Sequence, residues 1–260
     1  MKILCIGDVC GSIGCKMLEK HLNRIKRENN IDFTIINGEN SADGNGVLPQ
    51  SADWLINIGA DVITGGNHSF RREEILPYYE THPFVLRPDN LKVADYGGGY
   101  YLADMGKNKI AVINLSGKIY LERHEVDNPF TAVDLLLLRA KNDGANIILV
   151  DFHAEATSEK RALGFYLDGK VSAVFGTHTH VRTADLQILP NGTGYITDIG
   201  MTGPKNSVLG VRSDIIINRL RDNDMSRFEL AEGPCMINGC IFEIDEKSGK
   251  AIGVTPIYCE

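Results

Sequence analysis

Cysteine and proline are scarce in this sequence, long apolar runs are missing, and basic residues are outnumbered. Six Cys (Cys5, Cys10, Cys15, Cys235, Cys240, Cys259) in 260 residues are too sparse for a disulfide framework and form no C-x-x-C pair of a zinc ribbon. They read as reduced thiols, as expected of a cytosolic protein. With only 9 Pro there is no Pro-rich linker, and no low-complexity segment or internal repeat divides the chain, so a single domain over residues 1–260 is expected. No segment approaches the ~20 apolar residues that span a bilayer. The opening MKILCIGD is apolar only from Ile3 to Ile6, short of the apolar region of about 7–15 residues in a signal peptide; the expected location is the cytoplasm, with no membrane partner. A formal charge of -7 argues against an extended nucleic-acid surface, whose footprint is basic. It leaves room for small anionic substrates, because bound divalent cations reverse the local field.

What is present is a globular composition, 43% hydrophobic and 23% charged, with short Ile- and Val-rich runs alternating with segments of helical spacing. Strands are expected at Ile3 to Ile6, Phe33 to Ile36, Asp61 to Thr64, Ile110 to Asn114, Ile147 to Asp151 and Val171 to Phe175. Helices are expected around Lys16 to Glu28, Pro49 to Ile58, after Arg71, and from Thr131 to Asn142 before Gly144. After His180 the texture changes to two hairpins, Leu186 to Leu189 with Tyr195 to Ile199, and Ile237 to Ile244 with Ala251 to Ile257. The charged stretch from Arg212 to Gly233 carries no clear pattern. Parallel strands joined by helices and followed by hairpins give an α/β fold, a layered sandwich of mixed sheets flanked by helices.

The polar clusters able to bind a metal fall just after expected strands: Asp8, Asn37-Gly-Glu-Asn40, Gly66-Asn-His68, Asp151-Phe-His153 and Thr177-His-Thr-His180. In open α/β sheets the carboxyl ends of strands form the ligand-binding edge, so these segments should converge. His178 and His180 are two apart, which in an extended segment turns both rings to one side; incidental surface histidines are the plain alternative for such a pair standing alone. His21, His82 and His124 lie in polar or Pro-adjacent surroundings and read as surface residues. Asp8 has the alternative of capping a helix, and Asn67 that of forming a turn. Glu39, between Asn37 and Asn40 in a Gly-containing turn, has no such structural task and could bridge two cations. The mix of carboxylate, carboxamide and imidazole suits transition metals, with Mn or Fe expected; Cys10 is a lesser candidate ligand. Two metals about 3.5–4 Å apart acidify a bridging water and hold phosphoryl oxygens. His68, next to a candidate ligand, is then the candidate general acid for the departing alkoxide. No Arg or Lys lies in the ligand segments, which favours a singly charged diester over a monoester; Arg182 is the nearest in sequence.

Gly7-Asp-Val-Cys10, Gly38-Glu-Asn40, Gly66-Asn-His68 and Gly176-Thr-His-Thr-His180 together resemble the calcineurin-like metallophosphoesterases, and more closely their YmdB-type branch. Cys10 stands where the wider superfamily has His, and Glu39 where it has a bridging Asp, departures that are the rule in this branch. The resemblance extends through Thr-Asp-Ile-Gly-Met-Thr-Gly203. It implies one metal held by Asp8, Glu39, Asn40 and His180, and a second by Glu39, Asn67, His153 and His178. It further implies a phosphodiesterase acting on 2′,3′-cyclic nucleotides with His68 as proton donor, in a homodimer or homotetramer. Competing readings are a phosphomonoesterase, a regulatory metal-binding scaffold for an RNA-processing partner, and an amidohydrolase. The last usually carries its His-x-His pair on the first strand of a barrel, whereas here the pair comes late.

Overall fold

Period-two alternation organises the first strand of the computed structural model, which describes residues 1–92, 96–121 and 125–260. In β1 (Lys2–Ile6), Ile3 and Cys5 point into one apolar cluster while Leu4 and Ile6 point into another. A two-residue strand, β2 (Asp8–Val9), follows. Helix α1 (Gly11–Asn29) begins at Gly11 rather than at the expected Lys16. Its first turn is glycine-rich and a poor helix former, but the glycine is needed: a Cβ on Gly14 would lie 2.7 Å from the Thr202 carbonyl oxygen.

Strand β3 (Phe33–Asn37), helix α2 (Pro49–Asn57) and strand β4 (Val62–Thr64) match their expected places. The helix expected after Arg71 is a short 3₁₀ turn leading into α3 (Leu76–Thr81). Then come β5 (Tyr100–Asp104), β6 (Lys109–Ser116), α4 (Pro129–Asn142), β7 (Ile147–His153), α5 (Thr157–Leu167) and β8 (Ala173–Thr177). Neither β5 nor α5 was expected. In α5 Gly164 blurs the helical pattern, yet the Tyr195 ring would be 2.3 Å from any Cβ there. The strands β9 (Gln187–Ile188) and β10 (Gly194–Ile196) form the first hairpin, and β12 (Cys235–Ile244) and β13 (Ala251–Cys259) the second. Between them lie β11 (Met201–Pro204) and, within the unpatterned charged stretch, α6 (Ser213–Asp222). Only Ile215 of α6 is buried, so little periodicity could mark it.

One sheet runs β2-β11-β12-β1-β3-β4, with β13 also on β12; the other runs β5-β6-β7-β8-β10-β9. Both are mixed: β1, β3 and β4 are parallel and β12 antiparallel, while β6, β7, β8 and β10 are parallel and β5 and β9 antiparallel. Ile3 and Ile35 of the first sheet meet Val112, Leu149 and Phe175 of the second in a shared core. The outer face of the first sheet packs on α1 and α2 through Leu18, Leu22 and Leu55, and that of the second on α4 and α5 through Val133, Leu136 and Leu163. The result is an α/β sandwich of two mixed sheets between helical layers. All six cysteines are free, with Cys5 opposite Cys240 across β1 and β12.

Candidate metal centre

The sandwich brings the carboxyl ends of its parallel strands to one rim. Asp8 lies in β2 just beyond β1, Glu39 and Asn40 follow β3, Asn67 and His68 follow β4, His153 ends β7, and His178 and His180 follow β8. All eight predicted site residues meet there. Glu39, 1% exposed, lies at the middle: its Oε2 is 3.3 Å from His153 Nε2 and its Oε1 3.2 Å from His68 Nδ1. His153 Nε2 is also 3.1 Å from His178 Nδ1 and 3.0 Å from Asn67 Oδ1. The donor atoms of Glu39, His153 and His178 all fall within 4.8 Å of one another. On the other side of Glu39, Asn40 Nδ2 donates to Oε1 at 2.8 Å and lies 3.5 Å from His180 Nε2, which is 3.7 Å from Asp8 Oδ1.

Each of the three inward imidazoles is oriented by an acceptor on its other nitrogen, as metal-binding histidines usually are. His153 Nδ1 is 2.9 Å from Thr177 Oγ1, which donates to Asp151 Oδ1 at 2.7 Å. His180 Nδ1 is 3.1 Å from the Leu209 carbonyl, and His178 Nε2 is 3.0 Å from Glu155 Oε2. Thr64 and Asn37 hold the second oxygen of Asp151. Cys10 Sγ sits 3.7 Å from His180 Nδ1 and donates to the Asp8 carbonyl at 3.7 Å. The histidines at 178 and 180 have φ of 100° and 63°, a left-handed conformation that costs energy outside glycine. Behind them, buried Lys160 donates to the Thr177 carbonyl at 2.8 Å and to Asp198 Oδ2 at 2.7 Å. The same oxygen accepts from the Thr179 amide and hydroxyl.

The residues fit a cation pair on three grounds. Asp8 Oδ1 and Asn40 Oδ1 are buried without a hydrogen-bond partner among the described residues, a costly arrangement that a cation would relieve. A Cβ on Gly66 would lie 2.1 Å from Glu39 Oε2 and 2.3 Å from His153 Nε2, so a glycine keeps the cradle open. Charge state agrees for Glu39 and His178, whereas burial raises the Asp8 carboxyl and, although burial opposes charge on His153, Glu39 and Asp8 raise its imidazole. Burial disfavours charge on Glu39, but the His153 and His68 imidazoles outweigh it and hold the carboxyl well below its ordinary range. Burial and the charge of His153 push His178 down to about 3. An ionised carboxylate and a neutral imidazole are the forms that bind metal. Burial opposes charge on His180 too, yet Cys10, Asp8 and Glu39 raise it to about 10; there a proton and a cation compete for one lone pair.

Some alternatives close. Asp8 does not cap α1: Cys10 holds that position and no side chain caps it. Arg182 turns away, donating to the Ile257 carbonyl. His21 pairs with Arg24, and His82 stacks on Tyr78 with ring centroids 3.7 Å apart; both are partly exposed and make local contacts. His124 lies outside the described residues. Of the supporting residues, Asp151 and Thr177 were read only as members of polar clusters able to bind a metal, and Lys160 and Asp198 received no role, because only burial distinguishes them from ordinary polar side chains.

Two cavities of about 390 Å³ each open onto the cluster. They share Asn45, His68, His178 and Phe228. One is walled by Val208, Leu209, Val211 and Leu230; the other by Arg71, Tyr120 and Asn67.

A family model described as YmdB-like protein matches residues 4–257. The chain is 44% identical over 257 residues to the 2′,3′-cyclic-nucleotide 2′-phosphodiesterase of Bacillus subtilis (strain 168), covering 99% of this chain and 96% of that protein. Among solved structures, a hypothetical protein from Thermus thermophilus superposes with TM-score 0.92 at 35% identity, covering 100% of this chain and 99% of that one. A novel phosphatase from Mycoplasma pneumoniae gives 0.94 at 34%, covering 100% and 93%.

Proposed function

The chain belongs to the YmdB-like family, and from that membership and the rim geometry we propose that it is a dinuclear-metal phosphodiesterase that opens 2′,3′-cyclic nucleotides to nucleoside monophosphates. The observation that carries the proposal is the pair of buried oxygens on Asp8 and Asn40 that have no hydrogen-bond partner among the described residues, beside converging imidazoles. One cation would be held by Asp8, Glu39, Asn40 and His180, the other by Glu39, Asn67, His153 and His178; the donor set favours Fe or Mn. When bound, such a pair acidifies water and draws charge from the phosphoryl oxygens.

The protein's own groups do the rest. Glu39 spans both ligand sets with its two oxygens and also holds His68: Oε2 accepts from the His68 amide at 3.1 Å and Oε1 faces Nδ1 at 3.2 Å. With Nδ1–H donated to Glu39, it is the imidazolium form of His68 that carries a second proton, on Nε2, to give into the cleft it lines, and the neutral ring left behind keeps its Nδ1–H on Glu39. Water adds its oxygen to phosphorus and releases one proton to solvent, the P–O2′ bond breaks, and O2′ takes the His68 proton, leaving the 3′-monophosphate. Proton donation matters in proportion to the basicity of the leaving oxygen.

His68→Ala therefore lowers kcat on a 2′,3′-cyclic nucleotide by about 10²–10⁴-fold, with much less effect on bis-p-nitrophenyl phosphate, whose leaving group is a weak base. Elemental analysis should find the metals retained. Equal losses on both substrates would remove His68 from the role of acid, and no turnover of any phosphodiester by metal-loaded wild type would remove the activity.

A further inference from the structure

The cleft has two lobes of about 390 Å³ each. Its first lobe has an apolar wall of Val208, Leu209, Val211 and Leu230, and Phe228 lines both lobes. One face of the Phe228 ring is covered by the Arg219 guanidinium, 4.2 Å from the centroid, and the residue is still 46% exposed. That leaves a ring face beside the metal cluster on which a base can stack. Val208, Leu209 and Leu230 complete this lobe with side chains that carry no hydrogen-bonding group.

The second lobe is different in kind. Arg71 lines it with only its Nε engaged, at 3.3 Å to the Gly44 carbonyl, and pairs with no carboxylate among the described residues. Tyr120 lines it too, 77% exposed. A cyclic mononucleotide has one phosphate, which the metal cluster takes, and one base, which the first lobe takes. A guanidinium with no carboxylate partner among the described residues and an exposed aromatic ring in the second lobe are then left over. The charge of -7 argues against a long track for RNA, but not against a contact one nucleotide deep.

We propose that the Arg71–Tyr120 lobe binds the nucleotide preceding the cyclic end: Arg71 meets the connecting phosphate, Tyr120 stacks the preceding base, and the favoured substrate is an RNA 3′ end bearing a 2′,3′-cyclic phosphate. This rests on the phosphodiesterase reading above and specifies its substrate.

The test compares kcat/KM for adenosine 2′,3′-cyclic phosphate with that for the dinucleotide ApA ending in a 2′,3′-cyclic phosphate, in metal-loaded wild type, Arg71→Ala, Tyr120→Ala and Phe228→Ala. Wild type should prefer the dinucleotide by about 10-fold or more, the scale of one base stack. R71A and Y120A each bring the preference toward unity, whereas F228A lowers both substrates together. A wild-type preference at or below unity, or one that survives both R71A and Y120A, overturns the inference while leaving the activity standing. Failure to turn over either substrate overturns both readings.

Discussion

A methyl group at Gly66 would sit 2.1 Å from Glu39 Oε2, far inside van der Waals contact, so Gly66→Ala must displace either the carboxylate or the backbone that carries Asn67. Overpacking of this kind costs about 1–3 kcal/mol, which a fold of this size tolerates, but the ligand geometry does not survive it. The expected outcome is a folded protein whose metal content drops by about one equivalent and whose turnover drops with it. Elemental analysis beside a denaturant titration checks this, and full metal loading at normal stability would show that Gly66 does not border the cations. At this scale the sequence was most readable. Glu39 follows an apolar run with no structural task in view, Asn67 and the His178-His180 pair follow such runs with a turn or an incidental surface position as the alternative, and all converge at the rim. Asp151 and Thr177 were not readable as supports, since their hydrogen bonds to each other and toward His153 depend on strands adjacent only in the fold.

The segment from Thr177 to His180 holds two left-handed histidines in place through one buried ion pair, and α5 supplies half of it. Lys160 is 1% exposed and Asp198 fully buried. Lys160→Met leaves Asp198 uncompensated, which should cost about 3–5 kcal/mol; replacing both, as Lys160→Met with Asp198→Asn, should recover most of that stability. Metal affinity should not recover, because the Thr177 carbonyl has lost its Lys160 anchor in either variant. A weakening of about 10–100-fold, typical of lost outer-shell support, is expected by metal titration in the double variant. If the stabilised double variant binds metal as wild type does, the ion pair serves the fold alone. Element boundaries explain why α5 went unseen in the sequence: Gly164 is there for the Tyr195 ring, and the helix buries Glu159 and Lys160 where apolar residues were to be expected. Burial of charge inverts the hydrophobic pattern on which such readings depend.

The two sheets divide the candidate ligands between them. Asp8, Glu39, Asn40 and Asn67 come from the first sheet and its loops, His153, His178 and His180 from the second. The layered class was legible from strand and helix alternation, but this division was not, because β12 arrives from the end of the chain to lie between β1 and β11. No local pattern announces so distant a pairing. A cation gripped from both sheets acts as a staple across their seam, and it stabilises the folded state by mass action, about 2.7 kcal/mol at a free concentration one hundred times Kd. For a chain of this size that is a rise in Tm of roughly 5–10 °C. Calorimetry of chelated and reloaded protein should show it, and His153→Ala, which removes the second sheet's most buried ligand, should abolish most of the rise. Loading that leaves Tm unmoved in wild type would mean that the ligands of the two sheets do not share their cations.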